Sequence, residues 1–284
     1  MNDYYRLRVN AVMDYIDAHL DEELGLETLA GVANFSKYHF HRIWKGVVGE
    51  TLNRYVNRIR LEKARRRIVS RPDLTITDVA YSLGFSSSAN FARDFSARFG
   101  EPPSSGKGAR RGGIGGRVLE SPIYLGIETL EPIPVIYARV DTGYDTGKIA
   151  AAFGSLYAFA LGEGLARRES RSIGIGYDDP EYTPPDRCRY DACLEVPAGY
   201  EPGPGRPFNL KAIAGGAYAT FGYSGRAEGF AGAWDSIFRD WAVEGDAVLD
   251  DRPHIELYLP SERYLEGLYE TRLCLPVLLP PIEK

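Results

Sequence analysis

The chain has 284 residues, 44% hydrophobic and 26% charged, which excludes a disordered polypeptide and leaves room for one large domain or two ordinary ones with cores of their own. Its net charge of −5 conceals a division: residues 1–117 hold 19 basic and 13 acidic side chains, a net +6, whereas residues 118–284 hold 15 and 26, a net −11. An anionic partner is expected for the front half and not for the rear.

The first residues, Met1-Asn2-Asp3-Tyr4-Tyr5-Arg6, show no apolar run behind a basic cluster, so no secretory signal is expected. The most apolar stretch, 149–161, falls short of the ~20 residues that span a bilayer, and no membrane partner is expected. Cys188, Cys193 and Cys274 lack metal-ligand spacing and read as reduced thiols in a core, in keeping with a cytoplasmic chain; no metal or cofactor is expected.

In chain order, Val9, Val12, Met13, Ile16 and Leu20 recur at helical spacing, predicting an amphipathic helix over 7–20. A repeat follows. Leu29-Ala30 returns as Val79-Ala80 fifty residues later; Phe40, Arg42, Trp44 and Gly49 return as Phe91, Arg93, Phe95 and Gly100 after fifty-one. Each copy reads as a short helix (26–33; 76–83), a tight turn (Asn34-Phe35-Ser36; Gly84-Phe85-Ser86) and a second helix (37–48; 87–99), with serine placed to cap it: a helix-turn-helix. Between the copies, 51–69 predicts one basic helix, roughly 28 Å long at ~1.5 Å per residue and close to the ~34 Å of one DNA turn. Two reading helices held that far apart can enter successive major grooves without dimerisation. Residues 102–117, rich in Pro, Ser, Gly and Arg, predict a flexible cationic linker, placed at 106–120.

Two unequal helix-turn-helix units joined by a basic helix, with Ser36-Lys37-Tyr38-His39-Phe40 opening the first reading helix and Gly84-Phe85-Ser86 before the second, resemble the DNA-binding domain of the AraC/XylS transcription regulators over about residues 6–105. The resemblance implies base contacts from Tyr38, His41 and Arg42 in the first reading helix and from Ser88, Ala89, Asn90 and Arg93 in the second. The family ends this domain with an aromatic-containing basic stretch; here 104–108 is Gly-rich, so the last helix is expected frayed or absent. Physically, Arg42 and Arg93 suit bidentate readout of guanine, and His41 and Asn90 suit base edges. Lys37, Lys45 and the connector arginines suit phosphates. Each arginine taken alone reads equally well as a solvated surface residue. Phe40, Trp44, Phe91 and Phe95, four residues apart in each copy, read as core.

The acidic half also repeats, at an offset of 81: Tyr137-Ala138 with Tyr218-Ala219, Phe153 with Trp234, Glu163-Gly164 with Glu244-Gly245, Tyr177 with Tyr258. Each unit reads as strand, helix, strand, strand: 134–142, 146–161, 172–178 and 189–196, then 217–223, 228–243, 253–259 and 269–277. The expected fold is α+β, with paired antiparallel sheets, both helices on one side and a groove between the units. Alternation along 253–259 sets Ile255, Leu257 and Leu259 on one face, expected to pack under the Trp234–Ile237 helix, and His254, Glu256 and Tyr258 on the other. Glu256 then faces the groove among aromatic residues, where a carboxylate favours a cationic or donor partner. An edge glutamate in water, or paired with Arg272, accounts for the same pattern.

The run Arg187-Cys188-Arg189-Tyr190-Asp191-Ala192-Cys193, with Ala233-Trp234-Asp235, Ile255-Glu256-Leu257-Tyr258 and Cys274-Leu275-Pro276-Val277, resembles the GyrI-like small-molecule-binding domain over about 122–279. The resemblance implies that Glu256 lies at the base of an aromatic pocket for amphipathic, often cationic compounds, with Tyr269 as a pocket aromatic; Tyr258, Trp234, Tyr177, Tyr144 and Trp241 are further candidates. The whole chain then reads as a multi-domain protein: a tandem helix-turn-helix domain over 1–105 and an effector-binding domain over 121–284. The expected partners are double-stranded promoter DNA, a small amphipathic effector and RNA polymerase. The competing reading is a GyrI-like hydrolase with Glu256 as general base beside Tyr269 or Tyr258; a third is a module that binds proteins alone.

Overall fold

The computed structural model of the chain describes residues 3–106, 121–165, 170–203, 206–242 and 248–279. Two compact units form, Met1–Ala109 and Arg110–Pro202 with Leu210–Lys284; the short stretch Gly203–Asn209 groups with the first. The expected linker, 106–120, lies outside the described residues apart from Gly106.

The first unit is helical: α1 (Asp3–Ala18), α2 (Leu26–Val32), α3 (Lys37–Val48), α4 (Leu52–Ser70), α5 (Ile76–Tyr81) and α6 (Ser88–Phe99). Side-chain caps start four of them: Ser36, Thr51 and Ser87 each accept the backbone N–H three residues on, and Thr75 and Asp78 form a reciprocal capping box. The tight turn needs a left-handed residue in both copies, supplied by Asn34 (φ 56°) and Gly84 (φ 74°). Phe40, Trp44, Phe91 and Phe95 are buried with Val9, Val12, Met13 and Ile16 of α1. After α6 the chain makes a single 3-10 turn, Pro103–Gly106, whose Gly106 lies against Ile68.

The second unit is one sheet with two helices: β1 (Ile123–Leu130), β2 (Ile133–Val140), α7 (Thr146–Gly162), β3 (Ser172–Gly176), β4 (Tyr190–Glu195), β5 (Asn209–Ile213), β6 (Gly216–Gly225), α8 (Phe230–Ser236), β7 (Val248–Leu249), β8 (Ile255–Tyr258) and β9 (Tyr269–Leu278). The order is β1-β6-β9-β8-β3-β4-β2-β5, with β7 on β9. The duplicated units therefore do not make separate paired sheets; β3 and β8 pair antiparallel and fuse them into one. Both helices lie on the same face, as expected: Phe153 of α7 meets Tyr258 at 5.4 Å between ring centroids, and Trp234 of α8 bonds Glu256. α8 is shorter than the predicted 228–243 and runs into a π-helical turn, Ile237–Ala242.

Two expectations about faces are overturned. Ile255 and Leu257 do not pack under α8; they join Ile173, Ile175, Val135, Tyr137 and Tyr218 on the opposite face. Trp234 and Ile237 rest instead on Ala219, Phe221, Leu273 and Leu275 of the neighbouring strands. The uniform offset of 81 also fails here. Ser172 lies opposite Tyr258 and Gly174 opposite Glu256, so the even-numbered residues of β3 share the helix face. Tyr177, the nominal equivalent of Tyr258, falls on the other side, because a one-residue slip turns a strand over.

Candidate functional site

Lys37, Tyr38, His41, Arg42 and Lys45 share the exposed face of α3, opposite Phe40 and Trp44. Tyr38 is 87% exposed, an unusual position for a tyrosine unless a partner covers it. On α6, Ala89, Asn90 and Arg93 are exposed and Ser88 half-buried. Lys37 pairs with Glu27 at 2.6 Å and Arg93 with its neighbour Asp94 at 3.1 Å, both in solvent, where such pairs are weak. Arg42 reaches no carboxylate among the described residues.

Four connector arginines, Arg58, Arg60, Arg65 and Arg67, are turned to partners within the unit, whereas Arg54 is exposed, as expected of a side chain that lies along phosphates. Arg58 donates to Glu50 at 2.9 and 3.1 Å and to Glu62 at 3.4 Å, with all three side chains shielded. Burial works against the Arg58 charge, but Glu62 and Glu50 more than offset it and its pKa is raised. Arg60 binds the Leu20 and Glu22 carbonyls at 2.9 and 2.7 Å, filling the space a Cβ on Gly84 would need. Arg65 holds Glu101 and Arg67 reaches Ser82. These side chains hold the unit together.

In the sheet unit, Glu256 is only 7% exposed. Its carboxylate accepts from Tyr190 Oη at 2.8 Å, Tyr258 Oη at 2.7 Å and Trp234 Nε1 at 3.0 Å. No lysine or arginine pairs with it among the described residues, Arg272 being taken by Glu128 at 2.8 Å. Gly174 makes the arrangement possible: a Cβ there would meet Tyr190 Oη at 1.8 Å and Glu256 Oε2 at 2.7 Å. Burial first, then the Glu256 charge, pushes the Tyr190 and Tyr258 phenols well above their ordinary range, so both remain donors.

Further aromatic rings pack on the three donors. Phe153, Phe230 and Tyr269 lie 5.4, 5.9 and 5.8 Å from the Tyr258 ring. His254 sits 4.3 Å from Trp234, and Tyr144 lies 6.2 Å from Tyr190, held by the Asp178 backbone. Of the residues expected in the pocket, Tyr258 and Trp234 bond Glu256, Tyr269 packs on Tyr258 and Tyr144 stands beside Tyr190. Tyr177 does not: its hydroxyl donates to Asp191 at 2.9 Å on the opposite face. Trp241 packs on Phe221 and Tyr124. Tyr190, Phe153, Phe230 and His254 are additions; alternation within β4 places Tyr190 with Ala192 and Leu194, but only the β4–β3–β8 register brings it to Glu256.

On the opposite face Asp191 accepts two bonds from Arg139, each 2.7 Å, and one from Lys211. Burial alone would raise this carboxyl, but Arg139 and Lys211 hold it well below the carboxylate range. Asp178 and Arg189 form a second buried pair at 2.9 Å. All three cysteines are buried and free, and burial pushes the Cys274 thiol up to about 12. Among the described residues no group of three His, Cys, Asp or Glu side chains is placed to hold a metal, and no helix is long and apolar enough to cross a membrane.

Residues 126–278 match the family model of the GyrI-like small molecule binding domain, and residues 29–107 match that of a helix-turn-helix domain. The HTH-type transcriptional activator RhaS of Enterobacter sp. (strain 638) is 38% identical over 96 residues, which are 34% of this chain and 34% of RhaS. The probable transcription factor PqrA of Proteus vulgaris is 35% identical over 97 residues, 34% of this chain and 79% of PqrA. The crystal structure of the DNA-binding domain of AdpA in complex with a target DNA covers 36% of this chain and 90% of its own, at 24% identity and a TM-score of 0.34. The chain thus spans about a third of the length of RhaS and most of PqrA. With more than half of its residues in the GyrI-like match and the helix-turn-helix match ahead of it, the chain belongs to the GyrI-like family and carries an AraC-type DNA-binding domain at its N-terminus.

Proposed function

We propose that the protein is a ligand-responsive transcription regulator of the cytoplasm. The exposed residues of α3 and α6 read double-stranded promoter DNA, RNA polymerase is the protein partner, and the Glu256 cluster takes a small amphipathic cation. One observation carries the effector reading: a nearly buried carboxylate whose donors, two phenols and an indole, are all neutral, in a cluster of further aromatic rings. Such a charge lacks a counter-ion, and surrounding rings add about 0.5–2 kcal/mol each for a desolvated cation over their faces. Three of roughly four acceptor positions on the carboxylate are filled, which suits binding better than proton abstraction. The ligand acts by binding one conformation of the chain better than another.

A thermal-shift titration with an aryl quaternary ammonium and its neutral tert-butyl isostere tests the effector site. The cation stabilises the wild-type chain, by ~2.7 kcal/mol at a hundredfold excess over Kd, and the isostere much less. Glu256→Gln abolishes the difference. Equal shifts for both compounds, or none, reject the reading, and turnover of the compound would favour the hydrolase. On the DNA side, Arg42→Ala weakens specific binding by about 1–3 kcal/mol and leaves the thermal shift intact.

A further inference from the structure

Each reading helix ends in the same dipeptide. Gly49-Glu50 follows α3 and Gly100-Glu101 follows α6, with both glycines left-handed at φ 77° and 74°. Both glutamates then take an arginine from α4: Glu50 holds Arg58 at 2.9 Å, and Glu101 holds Arg65 at 2.6 Å. Arg58 and Arg65 are seven residues apart and so share one face of the connector. Between them sits Glu62, buried, accepting from Arg58 on its own helix and from Arg98 in the last turn of α6. Asn57 adds a bond to Asp94 of α6 at 3.3 Å. An alternating chain of charges, Glu50, Arg58, Glu62, Arg98, thus runs from the end of one reading helix across the connector to the end of the other.

We propose that this chain is a gauge that fixes the separation and rotation of the two reading helices, and that Glu62 is a positioning residue for the spacing of DNA half-sites. The inference rests on the DNA-reading proposal above. Apolar packing holds each helix against the connector but tolerates small sliding, whereas buried ion pairs are directional and fail when geometry drifts. None of these residues lies among the exposed side chains of α3 and α6 assigned to base contacts, so the gauge acts on where those side chains stand.

The test uses the full chain. A random-sequence duplex library is enriched on the wild-type protein, and the consensus is then lengthened or shortened by one base pair between its two halves, a rotation of about 36°. Wild type is expected to lose about tenfold in affinity per step, the scale of a mismatched pair. Glu62→Gln should cut that loss to about threefold or less while binding a duplex with a single half-site as wild type does. General destabilisation would weaken every duplex alike and leave the spacing profile unchanged, which overturns the proposal, as does a wild-type profile that is already flat. If E62Q melts below the assay temperature, E101Q, at a partly exposed pair, carries the same expectation. Failure of the wild-type chain to enrich any duplex overturns the DNA reader and the gauge with it.

Discussion

Asp191 on β4 and Glu256 on β8 are both buried carboxylates, on the two strands that flank β3 and on opposite faces of one sheet, and they are treated in opposite ways. Asp191 faces two cations, Arg139 and Lys211, and a tyrosine hydroxyl. Glu256 faces two tyrosines and a tryptophan. The Asp191 charge is more than matched by its two cations, and the cluster ties β2, β4 and β5 together. The Glu256 cluster is closed in hydrogen bonds but open in charge. Burial by itself therefore does not separate a structural carboxylate from a binding one; the charge of its donors does.

The largest effect should come from Asp191→Asn, which removes the charge that Arg139 and Lys211 share and costs about 3–5 kcal/mol in chemical denaturation at neutral pH. The folded Asp191 carboxyl lies below its unfolded value of ~3.9, so its stabilisation is complete above that value and disappears as pH falls through the folded one. The gap between wild type and D191N should narrow below about pH 4; a gap independent of pH would break the contrast. Next, Glu256→Gln should change stability by only about 1 kcal/mol, yet lower affinity for the aryl quaternary ammonium tenfold or more by calorimetry. Tyr177→Phe and Tyr258→Phe should each cost about 1 kcal/mol of stability. Only Tyr258→Phe should alter the calorimetric profile of the cation, and equal effects would merge the two clusters into one. The smallest signal is alkaline. With the Tyr190 and Tyr258 phenols raised, stability is kept below the ordinary tyrosine value of ~10 and lost as pH climbs past it, with phenolate absorbance lagging that of free tyrosine.

The helical unit was legible because its signals are local. Caps, turn residues and aromatic spacing sit within a few positions of what they determine, and α3 runs over the predicted 37–48. In the sheet unit the helices and the strands of the repeat were legible, whereas β1, β5 and β7 were not, since each depends on a distant partner strand. Glu256 was legible by its type and its place among aromatic residues. Tyr177 takes the opposite face because the face of a strand residue depends on parity, which one extra residue between the copies reverses, while Tyr190 reaches Glu256 only through the register of β4, β3 and β8. The internal partners of Arg58, Arg60, Arg65 and Arg67 are hidden from the sequence for a different reason. Composition counts charges, but whether a guanidinium meets water or, like Arg65, a glutamate 36 residues away depends on packing.

The internally paired arginines also bear on the ionic atmosphere of DNA. Affinity for a duplex falls with salt at a slope of about −0.9 per phosphate neutralised, because each contact releases a condensed counter-ion. Arg58, Arg60 and Arg65 are committed to Glu50, to backbone carbonyls and to Glu101, so they release few such ions. The 19 basic side chains of residues 1–117, counted without the glutamates that pair with them, therefore overstate the hold on DNA of arbitrary sequence. Less of the protein should be sequestered on the genome at large, and a modest number of base contacts can then find their site among many competitors.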